Sequence, residues 1–207
     1  MKQFKNIVFD VGEVLLEYRW KDMMMDHGMT EEEALNFGNT IFDDPLWSEY
    51  DLAVLSEQEI LLEYQKKYPE IGENLKWFIS NGEQMRVKRP DVWKRVHRLK
   101  EQGYKIYLLS NYSQHLFEKH TKDADFMNDI DGKVVSYQLH IVKPDERIYQ
   151  HLFLTYGLNP GECLFFDDRA ENTAASKKAG MEAVTVTSRQ FLIEMLDYLL
   201  ETGTIKK

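Results

Sequence analysis

The stretch Ile7-Val8-Phe9-Asp10-Val11-Gly12-Glu13-Val14-Leu15-Leu16 limits what this chain can fold into more than any other: an apolar run stops at one carboxylate and resumes after a glycine. Lys5 to Phe9 reads as a short strand, β-branched and apolar toward both faces, the pattern of a strand in the middle of a parallel sheet. An acid placed where such a strand runs out faces the mouth of the sheet. Asp10 is therefore a candidate nucleophile.

The second half of the chain repeats that design. Predicted strands at Lys105–Leu109, Val134–Ser136, Leu164–Phe166 and Ala183–Val186 alternate with predicted amphipathic helices. The helices open at Pro90, after Ser113, after Lys143-Pro144, at Ala170 and after Ser188. Alternation of this kind means right-handed crossovers and an α/β, doubly wound, mostly parallel Rossmann-like sheet. Residues 17–85 read differently. Thr30-Glu31-Glu32-Glu33 and Ser56-Glu57-Gln58-Glu59 are capping boxes ahead of apolar runs, and no convincing strand is present. The expectation is a small α-helical cap of three or four helices inserted after the first strand. Ten of the 26 aromatic residues lie there, enough for a core of its own. The expected division is residues 1–16 and 86–207 as a core and 17–85 as a cap.

Residues 17–85 carry 16 acids against 5 bases, while the rest of the chain carries 19 against 21. An acidic segment beside the site argues against nucleic acid as a partner, because binding to its phosphate backbone needs basic surface. A small substrate is expected instead. No run of 18 apolar residues occurs, so no membrane partner is expected; with the lone Cys163 and no secretion signal, a reducing cytoplasm is the expected compartment.

Three predicted strands finish in polar residues: Asp10, Ser110-Asn111 and Asp167-Asp168. Ligands of open α/β sheets bind beyond the carboxyl ends of strands, so these groups should meet in one crevice. Carboxylates gathered there repel one another unless a cation joins them, and hard oxygen donors suit Mg²⁺. Ser110, Asn111 and Lys143 could then hold a phosphate, whose transfer depends on positioning and charge neutralisation.

In order and spacing, Phe9-Asp10-Val11-Gly12-Glu13-Val14-Leu15, Leu109-Ser110-Asn111, Val142-Lys143-Pro144-Asp145 and Phe166-Asp167-Asp168 through Glu171-Asn172 resemble the four motifs of the haloacid dehalogenase-like (HAD) hydrolase superfamily. The resemblance implies a Mg²⁺-dependent phosphomonoester hydrolase acting on a small phosphorylated substrate, such as a sugar phosphate. It implies that Asp10 forms an aspartyl-phosphate, and that Mg²⁺ is held by Asp10, the Gly12 carbonyl and Asp168, with Asp167 acting through water. Ser110, the Asn111 amide and Lys143 would bind the phosphoryl group, and Asn172 would support the metal loop.

The chain departs from most phosphatases of that superfamily at Gly12, where they carry a second Asp that protonates the leaving oxygen and then activates water. The glucose-1-phosphate-type sugar phosphatases also read Asp-x-Gly here. Glu13, Glu17 or a cap acid are the substitutes considered. Two alternatives follow: a 2-haloacid dehalogenase using Asp10 on carbon, or a weakly catalytic phosphate- or protein-binding module. Met23-Met24-Met25 reads as packing and the basic run Arg86–Lys100 as a solvated helix face, while Asp43, Asp44, Glu49 and Asp51 lack calcium-loop spacing. The last helix is apolar on more than one side, which fits deep packing or a dimer contact, so a monomer or a homodimer is expected.

Overall fold

Burial on both faces selects the centre of the sheet, and the chain builds outward from it. A computed structural model of the chain describes residues 3–205. In chain order, β1 (Asn6–Phe9) and β2 (Leu16–Tyr18) precede five helices, α1 (Trp20–Asp26), α2 (Glu31–Phe42), α3 (Pro45–Leu52), α4 (Glu57–Lys67) and α5 (Gly72–Ser80). Then come β3 (Arg86–Lys88), α6 (Pro90–Glu101), β4 (Lys105–Ser110), α7 (Gln114–Thr121), β5 (Gly132–Val135) and α8 (Ser136–Leu139). The chain ends with α9 (Glu146–Tyr156), β6 (Cys163–Asp167), α10 (Ala170–Lys178), β7 (Glu182–Thr185) and α11 (Arg189–Thr202).

Every residue of β1 is buried. It pairs in parallel with β4 on one side and β6 on the other, and the sheet runs β5-β4-β1-β6-β7. The strand period of two sends Ile7 and Phe9 to one apolar cluster and Val8 to the other. The fold is thus the α/β sheet flanked by helices that the alternation implied.

Two readings of the helical segment are corrected. A strand does lie at its edge: β2 takes in Glu17 and Tyr18 and pairs antiparallel with β3, forming a two-stranded ribbon at the base of the helices. Three residues are too few for a period of two to register, and the partner strand lies beyond the whole helical insertion. Among its described residues the segment also holds five α-helices, α1 to α5, not three or four. Both capping boxes close as read, at Thr30 and Ser56. The start of α3 was hidden in the acid cluster: Asp44 is its N-cap, Pro45 its first residue, and the Asp44 carboxylate also binds Lys67 and the Tyr68 hydroxyl.

The insertion does not close on a core of its own. Met23, Met24, Phe37, Phe78 and Ile79 belong to the same buried cluster as Phe9, Leu15 and Trp93. Met23 and Met24 are fully buried, as the packing reading requires, whereas Met25 departs from it and is exposed. On α11, Leu192, Met195, Leu196, Leu199 and Leu200 are all buried, so deep packing accounts for its apolar sides. No helix among the described residues is long and apolar enough to cross a membrane.

Candidate active site

With β1 between β4 and β6, the carboxyl ends of three strands become neighbours, and the polar residues read from the sequence converge. Asp10 Oδ1 accepts from the Val11 N–H at 2.7 Å and from the Ser110 hydroxyl at 2.6 Å. Its Oδ2 lies 2.9 Å from Lys143 Nζ. That ammonium also donates to Asp167 Oδ2 at 2.6 Å and to the Leu109 carbonyl at 2.9 Å, which uses its three donors. Asn111 fixes Lys143 from the backbone, accepting its N–H at 2.8 Å and donating to its carbonyl at 3.0 Å.

Asp167 is fully buried, and both of its oxygens are taken up by protein donors: Lys143, the Arg169 N–H and Asn172 Nδ2. Asp10, Asp167 and Asp168 each present an oxygen within 4.8 Å of the others. Three carboxylates facing one ammonium leave two negative charges uncompensated. The acids respond accordingly. Burial pushes the Asp10 carboxyl up to about 7, with Asp167 and Asp168 adding to the effect and Lys143 and Ser110 opposing it. Burial and Asp167 also raise Asp168. Burial alone would lower the Lys143 ammonium, yet Asp10 and Asp167 hold it above its ordinary value. A hard divalent cation fits this donor set in charge and in chemistry.

Gly12 lies two residues past Asp10, in a turn whose next residue, Glu13, has a left-handed backbone with φ +52°. The turn is held from outside. Arg89 donates to the Glu13 carbonyl at 2.6 Å and the Val14 carbonyl at 3.2 Å, and it pairs with the Glu13 and Glu17 carboxylates. Arg89 departs from the solvated face expected of its basic run, because it is only 4% exposed. The i, i+3, i+4 pattern could not have singled it out, since it sits at the N-cap of α6 and not on the helix.

Asp10, Asn111, Lys143 and Asp168 form one side of a cavity of about 430 Å³. The other side is Trp20, Phe42, Trp47 and Asp51 from the helical insertion, with Met85 beside them. In the sequence Asp51 is one of four acids that lack a calcium-loop spacing. Its place is fixed by the core: the Ser136 hydroxyl donates to the Asp51 carbonyl at 2.6 Å, and His140 Nδ1 lies 2.7 Å from the Leu52 carbonyl. Burial, with Asp10 adding, pushes the Asp51 carboxyl up to about 7 against the opposing Ser113 N–H, Lys143 and Arg169. Sequence reading also missed a chain from the half-buried Tyr18 through the buried Tyr112 to the buried His120, whose first link joins residues 94 positions apart.

A family model described as haloacid dehalogenase-like hydrolase matches residues 4–180. Among curated relatives, hexitol phosphatase B of Escherichia coli is 30% identical over 52% of this chain and 49% of its own length. A sesquiterpene phosphatase of Aspergillus oryzae is 24% identical over 89% of this chain and 90% of its own. Several of the curated relatives are matched over only about half of their length. Of solved structures, a HAD-family enzyme of Bacteroides thetaiotaomicron in complex with magnesium and inorganic phosphate is similar with a TM-score of 0.70 at 20% identity. The match covers 88% of this chain and 93% of that one, and at this identity the likeness speaks for the fold alone.

Proposed function

This chain belongs to the haloacid dehalogenase-like hydrolases, and on that premise we propose that it is a Mg²⁺-dependent phosphomonoester hydrolase whose nucleophile is Asp10. One observation carries the reading: three strand-end carboxylates lie within 4.8 Å of one another and only Asp10 and Asp167 pair with a lysine, Lys143, a charge balance suited to a divalent cation and a phosphate. We take residues 1–16 and 86–207 as the catalytic core and 17–85 as the helical cap, which shapes the leaving-group side of the cavity. The substrate is a small phosphorylated metabolite. A sugar phosphate suits the wall of Trp20, Phe42 and Trp47, because aromatic rings stack on the apolar faces of sugars, and the hexitol phosphatase relative supports it.

Asp10 attacks phosphorus in line, the leaving oxygen departs with its electron pair, and an aspartyl-phosphate forms that water then hydrolyses. Lys143 faces both the nucleophile and the phosphoryl group and offsets their mutual repulsion, while the Ser110 hydroxyl and the Asn111 amide orient the phosphoryl oxygens. Asp10, the Gly12 carbonyl and Asp168 would hold Mg²⁺, with Asp167 acting through water and Asn172 bracing it; the ion supplies charge neutralisation at the phosphoryl oxygens. For protonating the leaving oxygen, Asp51 is the cap acid placed in the cavity. Glu13 and Glu17 are both engaged by Arg89.

The Asp51 assignment predicts that Asp51→Asn slows turnover by about 10²-fold for alkyl phosphates and much less for 4-nitrophenyl phosphate, whose leaving group needs no proton. An equal loss on both substrates would remove Asp51 as the acid. The metal assignment predicts a pH dependence. Because Asp10 titrates at about 7 without metal and must be ionised to ligate, Mg²⁺ binding should strengthen as pH rises from 6 to about 8, with proton release. Calorimetry in buffers of different ionisation heat reads this, and a buffer-independent, pH-independent heat would contradict it.

The overall reading is tested by phosphate release from a panel of phosphomonoesters with Mg²⁺ and with EDTA, beside chloride release from 2-chloropropionate. Release that is unchanged in EDTA would sink the metal-dependent reading. Chloride release without phosphate release would install the dehalogenase alternative, which the surplus negative charge at Asp167 and Asp168 disfavours.

A further inference from the structure

The glycine at position 12 leaves room, and the structure shows what fills it. A Cβ built there would meet the Tyr18 hydroxyl at 2.5 Å, Cε2 at 2.8 Å and Cζ at 3.0 Å. The Tyr18 ring therefore occupies the space that any side chain at position 12 would need. It reaches that space from β2, where the Glu13 carboxylate accepts the Tyr18 N–H at 3.0 Å and the strand pairs Tyr18 with Arg86. Its side chain lines the same cavity as Asp10 and Lys143.

The direction of the hydroxyl is fixed by a chain of hydrogen bonds. His120 Nε2 lies 2.7 Å from the Gly82 carbonyl, which can only accept, so Nε2 carries the proton and Nδ1 is an acceptor. Burial keeps this imidazole neutral, with its pKa down at about 4. The Tyr112 hydroxyl, 2.8 Å from Nδ1, must donate to it, and the Tyr112 oxygen in turn accepts from the Tyr18 hydroxyl. Tyr18 thus spends its only proton inside the protein, and its oxygen, on a residue that lines the cavity, is left to act as an acceptor.

We propose that Tyr18 stands in for the side chain absent at position 12, its oxygen accepting a hydrogen bond from the water that hydrolyses the phosphorylated Asp10. This rests on the phosphatase reading above. In-line displacement puts both the departing oxygen and the later water opposite Asp10, beside the turn whose space Tyr18 fills. The step balances without a base. The water oxygen bonds to phosphorus, the phosphorus–oxygen bond to Asp10 breaks with its pair returning to the carboxylate, and both water protons leave on dihydrogen phosphate. Tyr18 orients the water and takes no proton from it. A lone Asp at position 12 would collide with Tyr18, which explains why the two do not coexist here.

Rapid mixing with 4-nitrophenyl phosphate in the presence of Mg²⁺ separates the two half-reactions, since nitrophenol reports the first and steady-state turnover includes the second. In Tyr18→Phe, which keeps the ring in its slot, the steady-state rate should fall about 10- to 100-fold while the rate constant of the first nitrophenol release is unchanged, giving a burst that approaches one equivalent. Tyr112→Phe, which removes the acceptor that directs the Tyr18 hydroxyl, should show the same split to a smaller degree. Unchanged steady-state rates in both variants, or a loss shared equally by both phases, would overturn the role of Tyr18. Wild-type protein that releases no phosphate would instead remove the phosphatase reading itself.

Discussion

Exchange of Asp10 for Asn is expected to lower phosphate release by about 10³-fold or more, with little loss of fold. Asn keeps the shape of the carboxylate and can still accept the Val11 N–H and the Ser110 hydroxyl through its oxygen. What it loses is the anionic oxygen that would attack phosphorus. The same change removes one of three crowded negative charges, which offsets the loss of the Lys143 contact at the other carboxylate oxygen, so the variant should stay close to the parent in stability at pH 8 in the absence of metal. Phosphate release assayed beside thermal unfolding checks both halves. An inactive variant that is also unfolded would say nothing of the nucleophile, and a folded, fully active one would remove it.

The second large effect concerns Lys143. It is 4% exposed and donates to Asp10, Asp167 and the Leu109 carbonyl, so Lys143→Met strands two buried carboxylates without a cation. Breaking a buried pair from one side costs about 3–5 kcal/mol, and urea unfolding at pH 8 without metal should show a loss of that order. At pH 6 the loss should be smaller. Removing the ammonium raises the pKa of its neighbours further, Asp10 already lies at about 7, and a protonated carboxyl no longer needs a partner. Addition of Mg²⁺ should restore part of the stability but not the turnover, since the cation replaces the charge and not the ammonium over the phosphoryl group. Equal loss at both pH values would mean that charge is not what Lys143 supplies.

The sheet and the site's floor were legible because each rests on a local signal. An apolar strand that ends in an acid, a hydroxyl or an acid pair can be read within a few residues, and the order of such strands fixes which ends meet. Capping boxes marked α2 and α4 for the same reason. What the residues did not disclose is non-local. The β2–β3 ribbon is three residues pairing with three others across the whole helical insertion. Arg89 is buried against the turn after Asp10 by tertiary packing that its neighbours in sequence do not announce. Asp51 looked like one acid among four, and only the folded cavity separates it from Asp44, which caps a helix.

Gly12 is the clearest case. In sequence it is the loss of an acid. In the structure it is a fit between a missing Cβ and the ring of Tyr18, and only then does a tyrosine–tyrosine–histidine chain become connected with the site.

Quenching the protein in acid during turnover of a phosphomonoester and locating the modification by mass spectrometry reads whether Asp10 carries the phosphoryl group in a metal-dependent reaction. A phosphoryl group is expected on the peptide that contains Asp10, present with Mg²⁺ and absent with EDTA. Turnover with Mg²⁺ that leaves Asp10 unmodified, even in Tyr18→Phe where the intermediate should accumulate, would contradict this role for Asp10.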